Sequence, residues 1–309
     1  MFYRDTWAEI NLSKITGNIQ TVRKLSGKDL FAVIKANGYG CGDVVLAKTA
    51  MAAGASYLAV SSLDEALHLR HAGIDHPILV LEYMNPAALP VAKAHHITAT
   101  ASSSYWVEEA LAADTEGLKV HIKVDTGMNR IGFTDFSEIG AALDALTAKG
   151  LEVEGIYTHF ACSDDPNNTF CQRQLARFES ILAKLGRNFR WIHCANTDAA
   201  VHFHENISNA VRCGIGMLGV SSYDMGLAPV LALYSRIVHV KQVPKGQTIG
   251  YGATYETPED EWIATIPIGY ADGWLRRHQG RCCVVDGQEC QFVGRICMDQ
   301  AMIRLPRYY

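Results

Sequence analysis

Short apolar runs rich in β-branched residues punctuate the first 216 residues, at Phe31–Lys35, Tyr57–Val60, Pro77–Leu81, Ile97–Ala101, Lys119–Asp125, Val153–Phe160, Trp191–Asn196 and Ala210–Gly216. Between them lie stretches with helical character: Val44–Ala53, Asp64–His71, Pro86–His95, Ser104–Ala113, Phe136–Lys149, Phe170–Leu185 and a short one at Asp198–Phe203. Runs too short for a helix and bounded by turn residues read as strands buried on both faces. Eight strands alternating with helices predict a parallel sheet, and eight even units predict its closure into a (β/α)8 TIM-like barrel rather than the alternative, an open doubly wound sheet. Pro86 after Asn85 marks a helix start, and Gly54, Gly73 and Gly150 mark helix ends.

After Gly216 the pattern changes. Leu231–Val243, Ile249–Thr254, Trp262–Gly269, Arg281–Val285, Gln291–Val293 and Ala301–Leu305 read as strands with no long helix between them, and the Asp-Gly in Val285–Gln288 signals a hairpin. These imply an all-β domain beginning near Tyr223, so that residues 1–222 form the barrel and 223–309 the β-domain. The alternating stretch Thr6–Leu12 is expected to join the β-domain as a strand. An end at Tyr309 soon after a strand leads us to expect an incomplete β-domain.

Composition narrows the classes. Hydrophobic residues make up 49% of the 309-residue chain and the net charge is -4, enough apolar material for a large core and no basic excess of the kind nucleic-acid surfaces carry. The amino terminus lacks a signal-peptide layout, and no apolar run reaches the roughly 18 residues of a membrane span, so a soluble cytoplasmic protein is expected. The 9 cysteines are scattered without a CxxC pair, which fits reduced thiols.

The candidate chemistry falls at the strand ends, where barrels and open α/β sheets place their ligands. Lys35 ends the run FAVIK and is followed by a glycine-rich turn carrying Tyr39. A lone lysine there equally fits a stem packed on apolar neighbours with its ammonium in water. Asp125, Met128 and Arg130 follow the fifth strand, His159 ends the sixth, Asn196 and Thr197 end the seventh, and Arg212, Gly214 and Ile215 end the eighth. Gly214–Gly219 matches G-x-G-x-x-G, but no helix or acidic partner follows, so a phosphate cradle of backbone N–H groups fits better than a dinucleotide fingerprint. No His or Cys spacing points to a metal. A lysine and a phosphate cradle in one barrel mouth suggest pyridoxal 5'-phosphate, whose aldehyde condenses with lysine and whose phosphate needs anchoring.

Several strings carry a closer likeness. AVIKANGYGCG, VDTGMNRIGF, THFACSDD, HCANTDAA, VRCGIGMLG, YGATYETPEDEWIATIPIGYADGWLRR and VGRICMDQ occur in order from about Tyr3 to Leu305, and together the chain resembles the alanine racemase family. The resemblance implies a barrel plus β-domain in a head-to-tail homodimer with shared active sites, acting on a small amino acid. It implies that Lys35 holds the cofactor and acts as one base, while Tyr251 from the partner subunit is the second. Racemisation needs such a pair, because the α-proton leaves one face and returns on the other. A phenol is a weak base at neutral pH, so nearby positive charge is needed, for which His159 and an arginine are candidates.

The resemblance further implies that Arg212 faces the pyridine nitrogen, donating without giving up its proton, and that Tyr39, Thr197, Gly214 and Ile215 contact the phosphate, with His159 and Asn196 also at the cofactor. Arg130 and the Met298 main chain would grip the substrate carboxylate. Tyr270, Cys297 and Asp299 would line the entrance, and Lys123 matches a lysine that many members carry as a carbamate, an unmodified lysine paired with a carboxylate being the alternative. Thr197 replaces the family's usual serine, Cys41 stands where histidine is common, and the family's last phosphate-binding tyrosine lies in a segment beyond Leu305. Alanine is the expected substrate, with serine as competitor; a barrel decarboxylase of basic amino acids and a non-catalytic pyridoxal phosphate carrier are the readings from other classes. Arginine at the ring nitrogen counts against the decarboxylase, and the β-domain with Tyr251 counts against the carrier.

Overall fold

The computed structural model describes residues 3–203 and 205–309. They fall into two compact units, Asn11–Val230 and a second made of the start of the chain with Leu231–Tyr309.

In the first unit eight parallel strands close into a barrel: Asp29–Val33, Tyr57–Val60, Ile78–Val80, Ile97–Ala101, Lys119–Lys123, Glu152–Tyr157, Trp191–His193 and Ala210–Cys213. The first and last pair directly, Phe31 with Arg212. Most strands stop short of the expected carboxyl ends because the chain leaves the ladder to build the rim. Val124 bridges Phe133, and Ala210–Cys213 gives way to the 3-10 turn Ile215–Leu218. Phe31, Tyr57, Leu79, Trp191 and Ala210 fill the barrel.

One helix escapes the pattern reading. Leu12–Ser26 is capped by Asn11, whose side chain accepts from Lys14 N at 3.0 Å, and is closed by Gly27 at φ 66°. Its buried face reads Ile15, Asn18, Ile19, Val22, a helical stripe disguised by an asparagine. Asn18 earns that place by donating to Met217 O and Ala228 O at 3.1 and 2.9 Å and accepting from Ala228 N at 2.8 Å. These bonds, with Tyr223 OH donating to Ser163 O at 3.1 Å, hold the segment around 217–230 to the barrel. The division therefore falls after Val230 rather than near Tyr223.

In the second unit Thr6–Ile10 pairs antiparallel with Leu231–Ser235. A five-stranded sheet runs in the order His239–Val243, Glu261–Ile266, Ala301–Leu305, Gln288–Val293, Cys282–Val285. The expected strand Leu231–Val243 is two strands, because Arg236 N bonds Asp5 O while Val238 N bonds Thr265 O, and the chain changes partner between them. Asp286 and Gly287, at φ 48° and 78°, make the hairpin turn. Ile266, Phe292, Ile303 and Leu305 anchor this core. No helix among the described residues is long and apolar enough to cross a membrane.

Candidate active site

The first barrel strand delivers Lys35 to the rim, and the backbone then enters a conformation that L-residues seldom adopt. Ala36, Asn37, Gly38 and Tyr39 have φ of 53°, 53°, 61° and 56°, a single turn of left-handed sense. Left-handed backbone costs roughly 1–2 kcal/mol per non-glycine residue, and local bonds offset it. Ala36 N donates to Glu65 Oε1 at 2.6 Å, Gly38 N to Ile34 O at 3.0 Å and Asp43 N to Asn37 Oδ1 at 3.1 Å. The turn brings Tyr39 against the last strand, where a Cβ on Gly214 would lie 2.2 Å from its oxygen. Burial, with Cys213 and Glu65 nearby, pushes the Tyr39 phenol up to about 12, so it remains a donor.

Of the twelve barrel residues singled out in the sequence, ten, from Lys35 to Ile215, line one cavity of about 240 Å³, and Asp125 and Met128 do not. Lys35 Nζ lies 3.7 Å from Glu82 Oε1. Glu82 and Tyr157 also line the cavity; neither stood out in the sequence, Tyr157 because an inward residue of a buried strand has no local signature, and Glu82 because a carboxylate in an exposed bend after Ile78–Val80 looks like any surface residue.

Arg212 is the hub. Its NH1 donates to His193 Nδ1 at 2.7 Å and His193 O at 3.2 Å, and its NH2 to Thr158 O, Cys194 O and His159 Nδ1 at 2.9, 2.9 and 3.0 Å. Burial lowers its pKa only to about 10, so it stays a cation at neutral pH. Among the described residues its Nε–H has no partner, leaving one donor for a ligand. The guanidinium in turn affects the histidines. Burial first, and Arg212 second, hold His159 and His193 well below the ordinary imidazole value. Of the two candidates for a positive charge, His159 is therefore a neutral acceptor and Arg212 a cation.

Arg130 is placed by Asp125, whose carboxylate accepts from the backbone N–H of Gly127, Asn129 and Arg130 at 2.8, 3.1 and 3.1 Å. Lys123, 3% exposed, donates to Val124 O at 3.0 Å and lies over the Tyr157 ring. Burial and then repulsion from Arg212 push its amine down to about 7. On the other flank Asn196 Oδ1 accepts from Ser163 Oγ at 2.7 Å and Ala199 N at 3.2 Å. Thr197 Oγ1 accepts from Gly214 N and Gly216 N, both at 3.3 Å. A Cβ on Gly216 would sit 2.6 Å from the Thr197 methyl, so the loop is built for bare backbone.

The remaining candidates belong to the β-unit. Tyr251 stands on a 3-10 turn between Gly250 and Gly252, at φ 71° and 73°, rather than on the expected strand, and is 67% exposed. Tyr251 and Cys297 border an open cavity of about 520 Å³. Tyr270 N donates to Cys297 O and Ala271 N to Met298 O, both at 3.0 Å, and Arg4 donates to Asp299 O at 2.9 Å. Tyr270, Cys297, Met298 and Asp299 thus share one pair of loops, held close because a Cβ on Gly269 would meet Met298 O at 2.3 Å.

The profile described as alanine racemase, N-terminal domain, matches residues 10–222, and that described as alanine racemase, C-terminal domain, matches residues 230–308. The alanine racemase of Geobacillus stearothermophilus is 46% identical over 318 residues, covering 99% of this chain and 82% of the relative. The crystal structure of alanine racemase from E. faecalis superposes with a TM-score of 0.95 at 41% identity, covering 100% of this chain and 86% of that one. That of the Bacillus anthracis alanine racemase, solved with bound L-Ala-P, gives 0.92 at 42% identity, covering 100% and 84%.

Proposed function

The chain belongs to the alanine racemase family, pyridoxal-phosphate-dependent isomerases that interconvert the enantiomers of alanine, and from that premise we propose that its barrel cavity binds the cofactor and that each site takes Tyr251 from a second copy. The observation that carries the reading is the cavity's donor set: a lysine amine, a free Nε–H on a buried guanidinium, and a phenol and a threonine hydroxyl over bare glycine backbone. These suit an aldehyde, a pyridine nitrogen and a phosphate in turn.

Bound there, the cofactor supplies an electron sink that acidifies the substrate α-proton. Lys35 anchors it and carries the proton on one face of the α-carbon; Tyr251 of the second copy carries it on the other. Arg212 donates to the ring nitrogen while keeping its own proton, which restrains the sink and suits racemisation better than decarboxylation. Tyr39, Thr197, Gly214 and Ile215 hold the phosphate, with His159 and Asn196 beside the cofactor. Arg130 and the main chain at Met298 hold the substrate carboxylate, and Tyr270, Cys297 and Asp299 shape the approach. A neutral Lys123 amine is the form that reacts with carbon dioxide, and a carbamate would place negative charge beside Arg212 and Arg130.

Mixing Lys35→Ala and Tyr251→Phe chains tests the shared site. Random pairing makes half the dimers mixed, each with one site holding both wild-type residues, so activity returns to about a quarter of the wild-type level. Two variants that stay inactive after exchange, or a Tyr251→Phe chain that racemises alanine at the wild-type rate, refute it. Serine offered to the same sample is expected to racemise more slowly than alanine.

A further inference from the structure

From Arg212 a line of buried polar groups runs away from the cavity toward the amino-terminal mouth of the barrel. His193 Nδ1 faces Arg212 NH1 at 2.7 Å, and His193 Nε2 meets His121 Nδ1 at 2.9 Å. His121 Nε2 faces Glu154 Oε1 at 3.4 Å, and Tyr57 OH donates to the same oxygen at 2.5 Å. Both histidines are completely buried and Glu154 is 4% exposed. Glu154 lines a separate cavity of about 170 Å³ with Lys119, Arg190 and Trp191, at the end of the barrel opposite Lys35.

The chemistry of the two ends allows one arrangement of protons. A guanidinium only donates, so His193 Nδ1 must be a lone pair and its proton must sit on Nε2. That N–H can be received only by a lone pair on His121 Nδ1, which puts the second ring's proton on Nε2, aimed at a carboxylate. Burial keeps both rings neutral, while bonds from His121 and Tyr57 and the Lys119 charge outweigh burial at Glu154 and hold it at about 2. A buried cation and a buried anion are thus joined by two uncharged rings, every donor pointing the same way. The backbone makes room: a Cβ at residue 155 would stand 2.5 Å from His121 Nδ1, so the residue after Glu154 is glycine.

We propose that Glu154 is a positioning residue for Arg212, acting from the far mouth of the barrel through this one-way relay of neutral histidines. Without the carboxylate, the His121 N–H loses the acceptor that fixes its direction, the ring is free to reverse, and a reversed pair would set an N–H of His193 against the N–H of Arg212. The relay is a property of the protein alone; its effect on catalysis rests on the assignment of Arg212 to the cofactor ring.

Nitrogen-15 NMR of the protein without cofactor separates the two. In the wild type both rings are expected to be neutral and protonated on Nε2 at neutral pH. Glu154→Met is expected to move the His193 resonances, two groups away from the substitution, whereas Glu154→Gln, which retains an acceptor oxygen, leaves them near the wild-type positions. In the loaded enzyme, Glu154→Met should lower kcat about tenfold with KM for alanine little changed, and Glu154→Gln should restore it to within about threefold, as expected for a hydrogen bond lost from and returned to a charged donor. Gly155→Ala, which displaces His121 and leaves Glu154 intact, should reproduce the loss. A His193 or His121 ring protonated on Nδ1 or charged at neutral pH overturns the relay, and this wild-type measurement decides even if Glu154→Met fails to fold. The expected tautomers with unchanged kcat in Glu154→Met or Gly155→Ala overturn the positioning role alone.

Discussion

Thr197 is the sharpest place to separate hydrogen bonding from packing at the proposed phosphate cradle. Its oxygen accepts two backbone N–H groups, those of Gly214 and Gly216, at 3.3 Å, and Thr197 is 5% exposed. Its hydroxyl proton points at Cys213 Sγ at 4.0 Å, a weak partner that an anion would readily replace. Thr197→Val keeps the shape and removes the acceptor, leaving two buried N–H groups unpaired. Long bonds lie at the low end of the usual range, so together they should cost roughly 2–3 kcal/mol of stability. Thr197→Ser keeps the oxygen and gives up a methyl group, at about 0.8 kcal/mol. Urea unfolding of the cofactor-free protein reads both numbers, and titration with pyridoxal phosphate should show about tenfold weaker binding for Thr197→Val only. The reasoning fails if Thr197→Val unfolds within about 0.5 kcal/mol of the wild type, or if Thr197→Ser loses as much as Thr197→Val.

Lys123 gives a pH signature. Its amine titrates at about 7 in the folded protein and near 10.4 unfolded, so between these values the unfolded chain binds more protons and stability rises with pH, by at most about 1.4 kcal/mol per unit. In buffer stripped of carbon dioxide, unfolding from pH 7 to 10 should show that rise in the wild type and not in Lys123→Met; equal slopes would contradict the burial argument. Arg212→Lys keeps the charge but leaves the buried carbonyls of Thr158, His193 and Cys194 short of donors, and thermal unfolding should register a loss of about 3–5 kcal/mol. Gly287→Ala, at φ 78° in the hairpin, should cost about 1 kcal/mol, read by urea unfolding, without altering the affinity for pyridoxal phosphate.

The barrel was legible because parallel strands covered on both faces must be apolar along their whole length, and such runs stand out between helices. What lies inside those runs was not. His121 sits mid-strand in Lys119–Lys123, between Val120 and Ile122, and His193 ends Trp191–His193, and only the closed topology shows that both rings turn inward and meet. The glycine-rich stretch after Lys35 announced a turn but not its hand, because two of the four left-handed residues there, Ala36 and Tyr39, are types that ordinarily avoid that region. Tyr251 lies in a stretch whose Ile249, Ala253 and Thr254 predict a strand, for the converse reason: the glycines on either side of it set a turn instead. Asn18 hid a helix by spending a core position on three hydrogen bonds. In each case local pattern gave way to a polar group or a positive φ that only a tertiary partner makes affordable, and at Lys35 and along the relay those exceptions lie where the cofactor chemistry is proposed. A lysine held between a buried strand and the left-handed turn Ala36–Tyr39 has a backbone with few ways to relax. That suits the proposal that Lys35 returns a proton to a particular face of a carbon atom, and the same rigidity is what the histidine relay would give Arg212.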